Sequence, residues 1–318
     1  MVTGGALRIA YFGTPAFAVP TLRALLDSRH QVAVLVSQPD RPRGRGHHLV
    51  ETATKQVATG AGVPVLQPLK LREEAFLASF ASYDVDLGVV AAYGRILPPA
   101  LLGLPRLGMI NVHGSLLPKY RGAAPVHRAV IAGDETTGVT IMRVIAELDA
   151  GAMFAKVERP IGIDETSVEV EHDLAEMGAS ALIDVVEQLA RGDANETPQD
   201  NALATYAPKL EKSEGPIVWS LSAREIHNRV RGLQPWPMAS TVIQGQRFLI
   251  HRTALTDQPA GAAAGSVVDA AGDRLTIAAG DGALLRILVI QPEGRRTMTV
   301  REFLSGRKLN PGTIAGGA

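Results

Sequence analysis

From Leu7 to Arg191, short apolar runs take turns with amphipathic stretches, and this pattern narrows the fold more than any other feature of the chain. Leu7–Phe12 (LRIAYF) reads as a strand ending at Gly13; a helix is expected from there to about Leu26, with Thr14 as N-cap and Pro15 at its first position. Val32–Ser37, Val63–Leu66, Val85–Ala91 and Met109–Val112 read as further strands, with helices expected over Glu51–Ala61 and Arg72–Ser82. Ala124–Ala132 reads as a helix, Thr137–Val144 and Met153–Pro160 as strands, and Thr166–Arg191 as one long amphipathic helix. The acids of that helix, Glu169, Glu171, Asp173 and Glu176, are expected to form a solvated face. Such alternation predicts an α/β architecture: a doubly wound, mostly parallel, Rossmann-like sheet. Gly13 lacks the companions of a G-x-G-x-x-G fingerprint, which argues against a nicotinamide or flavin cofactor.

The pattern changes after Ile217. A helix near Ala223–Arg231 precedes five short β-rich runs, at about Ser240–Gln244, Arg247–Arg252, Gly265–Val268, Leu275–Ala278 and Leu284–Ile290, separated by turns that carry glycine. Short strands so spaced predict a small OB-like β-barrel. The polar, helix-poor stretch Gly192–Ala207 reads as a linker. The expected organisation is therefore a catalytic domain over 1–192, a linker over 193–208 and a C-terminal domain over 209–318. Charge follows the same division: residues 208–318 carry 14 Lys and Arg against 9 Asp and Glu, whereas 1–207 carry 18 against 23. A basic half joined to a neutral-to-acidic half fits a polyanion partner, although ordinary compositional drift produces excesses of this size too. Lys209, Arg247, Arg252, Arg286, Arg295 and Arg296 are the residues that could face an RNA backbone.

Several classes are excluded or disfavoured. The 318 residues contain no cysteine, so there are no disulfides and no thiolate metal sites. Met1–Ala6 has no secretory n-region and h-region, and no window of apolar residues is long enough for a membrane span; a cytoplasmic location is the expectation. Gln38–His48 (QPDRPRGRGHH) holds Arg41, Arg43 and Arg45 among prolines and glycines and reads as an irregular basic loop, suited to gripping phosphates or simply solvated. His47 and His48 lack a nearby third ligand, so no metal is expected.

Gly108–Pro125 (GMINVHGSLLPKYRGAAP) carries the chemistry. Asn111 and His113, two apart on a strand, point to one side where Gly114 ends it. An amide that donates to an oxyanion beside an imidazole that moves protons suits acyl transfer. A turn-capping asparagine and a hydrogen-bonded histidine would show the same spacing. Tyr93, Gly94, Ile96 and Leu97, in the turn after the Val85–Ala91 strand, would wall the same crevice if the two strands are neighbours. Asp149, before Ala150 and Gly151, reads on spacing alone as a turn former.

The run Ile110–Ala124 (INVHGSLLPKYRGAA) resembles the signature of the formyltransferases that use 10-formyltetrahydrofolate. Extended through Pro125, it is most similar to the branch whose acceptor is methionyl-tRNA, and the similarity runs from Arg8 to about Pro292. The resemblance implies formyl transfer to the α-amine of initiator methionyl-tRNA for translation initiation. It makes Asn111, His113 and Asp149 catalytic, with Asp149 keeping His113 oriented and charged. It also implies a folate pocket built from Ser115, Leu116, Leu117, Pro118 and the Tyr93–Leu97 turn, with folate consumed as cosubstrate. Arg41, Arg43 and Arg45 become an insertion loop for the acceptor stem, and a monomer is expected because so large a ligand needs free access. Glycinamide ribonucleotide formyltransferase and the sugar-amine or hydrolase members share the core motif, but a free nucleotide substrate would need neither the basic loop nor the barrel. A non-catalytic RNA-binding relative would be free to lose Asn111, His113 or Asp149, and all are present.

Overall fold

Where the sequence has unbroken apolar runs, the computed structural model, which describes residues 5–43 and 48–316, has buried strands. In chain order the first part carries β1 (Arg8–Gly13), α1 (Val19–Leu26), β2 (Gln31–Val36), β3 (Arg41–Arg43), β4 (His48–Val50), α2 (Ala53–Gly60), β5 (Val65–Leu66) and α3 (Glu74–Ala81). It continues with β6 (Leu87–Ala91), α4 (Pro99–Leu102), β7 (Met109–His113), β8 (Arg121–Gly122), α5 (Pro125–Ala132), β9 (Thr136–Arg143), β10 (Met153–Pro160), α6 (Ser167–Arg191) and β11 (Tyr206–Ala207).

Seven strands form one sheet in the order β10-β9-β7-β6-β1-β2-β5. The pairs β7/β6, β6/β1, β1/β2 and β2/β5 are parallel, and β7/β9 is antiparallel. Strand order runs outward from β1 in both directions, so the reversal falls between β1 and β6, where Gly13 and Ala91 lie side by side. Open α/β sheets bind ligands in the crevice beyond the carboxyl ends at such a point. Gly13 is required there by space: a Cβ would come within 2.7 Å of the Tyr11 ring and 2.8 Å of Ala18.

Two local expectations are corrected. Thr14 does not cap a helix; Ala16–Ala18 is a single 3-10 turn and α1 starts at Val19, because Pro20 sits in its first turn, where a missing N–H costs nothing. The basic segment is not wholly irregular, since Arg41–Arg43 pairs antiparallel with His48–Val50. An isolated two-stranded ribbon is all edge, so Pro42 can leave its missing donor on the open side. Arg45 and His47 lie outside the described residues, and for Arg43 and His48 the description ends at the backbone.

Spatial proximity divides the chain into two units. One comprises Met1–Pro125, Thr136–Arg159 and Glu171–Ala207, the other Val126–Glu135, Pro160–Val170 and Pro208–Ala318. The polar 193–207 stretch thus groups with the sheet: Thr197 bridges Met153, and β11 pairs with β8.

The second unit adds α7 (Ala223–Gly232), β12 (Ala239–Ile243), β13 (Gln246–Pro259), β14 (Val267–Ala271), β15 (Arg274–Ala278), β16 (Ala283–Pro292), β17 (Met298–Thr299), α8 (Val300–Gly306) and β18 (Ala315–Gly316). Its sheet is antiparallel in the order β14-β15-β16-β13-β12-β18, with β17 on β16. Ser266 bridges Ile314 and the Val267 N–H donates to the Thr313 carbonyl at 2.8 Å, so the sheet curls until its two ends meet. Phe248 and Ile250, Leu275 and Ile277, and Leu285 and Ile287 alternate into its core. α8 went unread in the sequence, yet Thr299 and Glu302 form a capping box at its start and Phe303 packs edge-on against Phe248 at 5.4 Å.

On the acidic face of α6, Glu169 is exposed as expected and also closes the helix's first turn. Glu169 accepts from the Thr166 N–H at 2.7 Å and pairs with Arg252 at 2.7 Å. The Thr166 backbone bond, helped by Arg252, lowers its pKa from 4.5 to about 2. The unfolded chain therefore takes up this proton first as the pH falls, and the group's stabilisation is complete above about 4.5 and lost on the way down to about 2. Glu169→Gln is expected to lower the melting temperature at pH 7, with the gap to the parent closing through that window; a gap independent of pH would show that the charge contributes nothing.

Candidate active site

β7 ends on the side chains that matter. Asn111 lies between Val90 of β6 and Met142 of β9, and His113 lies opposite Thr140 of β9, so sheet pairing fixes the first on both flanks and the second on one. The His113 side chain is 5% exposed. Its Nε2 donates to the Tyr120 carbonyl at 2.9 Å, because a carbonyl can only accept. Nδ1 is then the atom whose protonation makes the ring an imidazolium, and Asp149 Oδ2 faces that atom at 3.7 Å. The same carboxylate oxygen accepts from the Gly122 N–H at 2.8 Å. One short segment, residues 120–122, thus holds the histidine by a carbonyl and the aspartate by an amide.

The segment is strained in a way that needs support. Tyr120 and Asp149 both have left-handed backbone, with φ of 62° and 47°. Gly122 sits at φ 120°, and a Cβ there would come within 2.9 Å of the Ala207 carbonyl, so only glycine allows β8 to lie against β11. Backbone strain of this kind persists where surrounding contacts over-determine it. Asn111 is half-buried, and its amide has no hydrogen-bond partner among the described residues, which leaves its donors to a bound molecule.

The residues expected to wall the crevice sort into two kinds. Tyr93, Leu97, Ser115 and Leu117 are buried. Tyr93 packs edge-on against Phe12 at 5.7 Å, and its carbonyl accepts from Gln38 Nε2 at 2.8 Å and from Thr14 Oγ1 at 3.4 Å. Ser115 donates to the Lys119 carbonyl at 2.7 Å, and Leu117 joins Met142 and Met153 in a small core. These four shape the walls. Gly94, Leu116 and Pro118 retain exposure and Ile96 is 80% exposed, so these present the apolar surface. The Tyr93 hydroxyl is buried without a partner, and burial raises its pKa. Apolar side chains and backbone groups of this kind suit a flat heterocycle with polar edges.

The basic ribbon is anchored at its base. Lys55 pairs with Asp40 at 2.5 Å and Gln67 Nε2 donates to Asp40 at 2.8 Å; the ammonium holds that carboxyl below the usual range. Arg41 is exposed and donates to Gln38 Oε1 at 3.2 Å. Of the six basic residues singled out for an RNA backbone, Arg252, Arg286 and Arg296 are each paired, with Glu169, Asp273 and Glu302; Arg247 is half-buried against Ser240, and Lys209 and Arg295 are exposed without an ion pair among the described residues. Gln38 and Gln199 have no motif in the sequence that marks them, and Thr14 reads there only as a helix cap. Among the described residues no group of three or more His, Asp or Glu side chains could hold a metal ion.

Residues 7–186 match the family model described as formyl transferase, and residues 209–308 match that of the formyl transferase C-terminal domain. The methionyl-tRNA formyltransferase of Desulfotalea psychrophila (strain LSv54 / DSM 12343) is 46% identical over 308 residues, which is 97% of this chain and 95% of that protein. That of Moorella thermoacetica (strain ATCC 39073 / JCM 9320) is 44% identical over 310 residues, covering 98% and 99%. Among solved structures, the sugar 3N-formyl transferase WlaRD superposes with a TM-score of 0.67 at 17% identity, over 92% of this chain and 100% of that one. HypX from Aquifex aeolicus, in complex with tetrahydrofolic acid, gives 0.63 at 16% identity, over 98% of this chain and 51% of that one. The structural likenesses speak for the fold, and the near-full-length identities for the lineage: the chain belongs to the methionyl-tRNA formyltransferase family.

Proposed function

We propose that Asn111, His113 and Asp149 carry the transfer of a formyl group from 10-formyltetrahydrofolate to the amino group of initiator methionyl-tRNA. The observation that carries this reading is their convergence at the carboxyl end of β7, one strand from the reversal in strand order, in a chain of this family. The amine attacks the formyl carbon, and the carbonyl electron pair moves onto oxygen. Asn111 donates to that oxygen and the imidazolium of His113 stabilises it. Collapse breaks the bond to N10 of the folate, which takes the electron pair; the proton released by the amine ends on N10, and Asp149 keeps the histidine oriented and charged meanwhile. Folate lies against Gly94, Ile96, Leu116 and Pro118, on walls shaped by Tyr93, Leu97, Ser115 and Leu117.

Arg41, Arg43 and Arg45 engage the acceptor stem. The protein acts as a cytoplasmic monomer; no helix among the described residues is long and apolar enough to cross a membrane. Formylation of charged initiator tRNA, run beside glycinamide ribonucleotide as acceptor, tests the assignment: transfer to the tRNA alone supports it, and transfer to the nucleotide alone defeats it. Arg41→Ala and Arg45→Ala are each expected to weaken tRNA binding and lower its salt slope by about one counterion, with folate KM unchanged. Parental tRNA affinity at every salt concentration would remove the ribbon from the acceptor site.

A further inference from the structure

Asp149 holds its carboxylate from a left-handed turn at φ 47°, so what fixes that turn fixes the carboxylate. Its side chain is committed to Gly122 and His113, so the restraint has to come through its backbone. It comes from Gln199. The Gln199 amide nitrogen donates to the Asp149 carbonyl and the Gly151 carbonyl, each at 2.8 Å, and so spans the turn with one group. The other end of the same amide, Oε1, accepts from Arg121 Nε at 3.1 Å and Nη2 at 2.8 Å.

Arg121 is 5% exposed, and among the described residues its guanidinium has no carboxylate partner; its third side-chain bond goes to Asn201 Oδ1 at 2.7 Å. A buried cation bonded to amide oxygens polarises them, which strengthens what the same amide donates on its far side.

We propose that Gln199 is a positioning residue for the reaction, which acts on the transferring group solely through Asp149. The inference rests on the functional reading of Asp149 given above. It predicts that Gln199→Ala lowers kcat on the order of 10²-fold, the cost of misplacing a catalytic group by about an ångström, with KM for folate and for tRNA within twofold of the parent. Gln199→Glu separates positioning from simple bracing. Its carboxylate would pair with Arg121 at least as well as the amide does, but it cannot donate to two carbonyls, so the fold should hold while kcat falls as far as in Gln199→Ala.

The deciding measurement is a double-mutant cycle with Asp149→Ala, read as single-turnover formylation with enzyme in excess, alongside the melting temperature of each variant. The expected result is that adding Gln199→Ala to Asp149→Ala costs nothing further, because its only route to the chemistry is gone. Multiplying losses would overturn the inference, as would parental kcat in Gln199→Glu, or a kcat loss in Gln199→Ala that merely follows the fraction unfolded. If Asp149→Ala alone turns over normally, the failure lies instead in the reading of Asp149.

Discussion

His113→Ala is expected to lower kcat by on the order of 10³-fold or more, and Asn111→Ala by on the order of 10²- to 10³-fold, without loss of the fold. The magnitudes follow from what each group supplies. The asparagine is a donor held by pairing on both sides, to β6 and to β9, and its amide has no competing protein partner among the described residues. Its loss removes oxyanion stabilisation and leaves the histidine's contribution. The histidine supplies the charge, so its loss removes the larger electrostatic term and strands the carboxylate beside it. Neither substitution reaches the apolar core. The structural cost of His113→Ala is chiefly an unpaired Tyr120 carbonyl, about 1–3 kcal/mol, too little to unfold a domain with a seven-stranded sheet of its own. Single-turnover formylation with thermal melts of each variant measures both quantities. Turnover within a few-fold of the parent in either variant would show that the β7 end does not bear the reaction.

The sheet was legible because its strands are buried on both faces and read as unbroken apolar runs, as Leu87–Ala91 does. Asn111 and His113 could be paired from their spacing alone, since a strand puts alternate residues on one side. Asp149 could not. Its approach to His113 depends on Gly122 lying in a backbone conformation set by contact with β11, some 85 residues along the chain, and no local pattern encodes that contact. Gln199 is invisible for the same reason: a glutamine in a polar stretch acquires its role only when the stretch folds back on the turn it clamps. Sequence alone presents Arg252, Arg286 and Arg296 as free positive charge, whereas each is paired across the fold. By contrast, the caps involving Glu169 and Glu302 are written in the sequence as Thr-x-x-Glu; the first coincides with the helix start expected at Thr166, and the second marks the start of α8.

Asp149→Asn tests whether the third residue acts by charge or by shape, and the expected result is a fall in kcat of about 10²- to 10⁴-fold with little change in either KM. The substitution is nearly isosteric. The amide oxygen can still accept from the Gly122 N–H, and the backbone clamp from Gln199 is untouched, so the left-handed turn should keep its place. What changes is the group presented to His113 Nδ1. With its oxygen on Gly122, the asparagine turns an NH₂ toward the ring, and that donor is satisfied by a neutral imidazole and repelled by an imidazolium. The ring is then held in the form least able to stabilise an oxyanion, although every heavy atom sits where it did. A purely structural aspartate would tolerate this exchange, because asparagine preserves the one hydrogen bond it makes to the backbone. Parental kcat in Asp149→Asn with loss in Asp149→Ala would therefore reduce the aspartate to a brace. Equal, large losses in both, at unchanged melting temperature, would mean that it is the negative charge facing Nδ1 that the reaction requires.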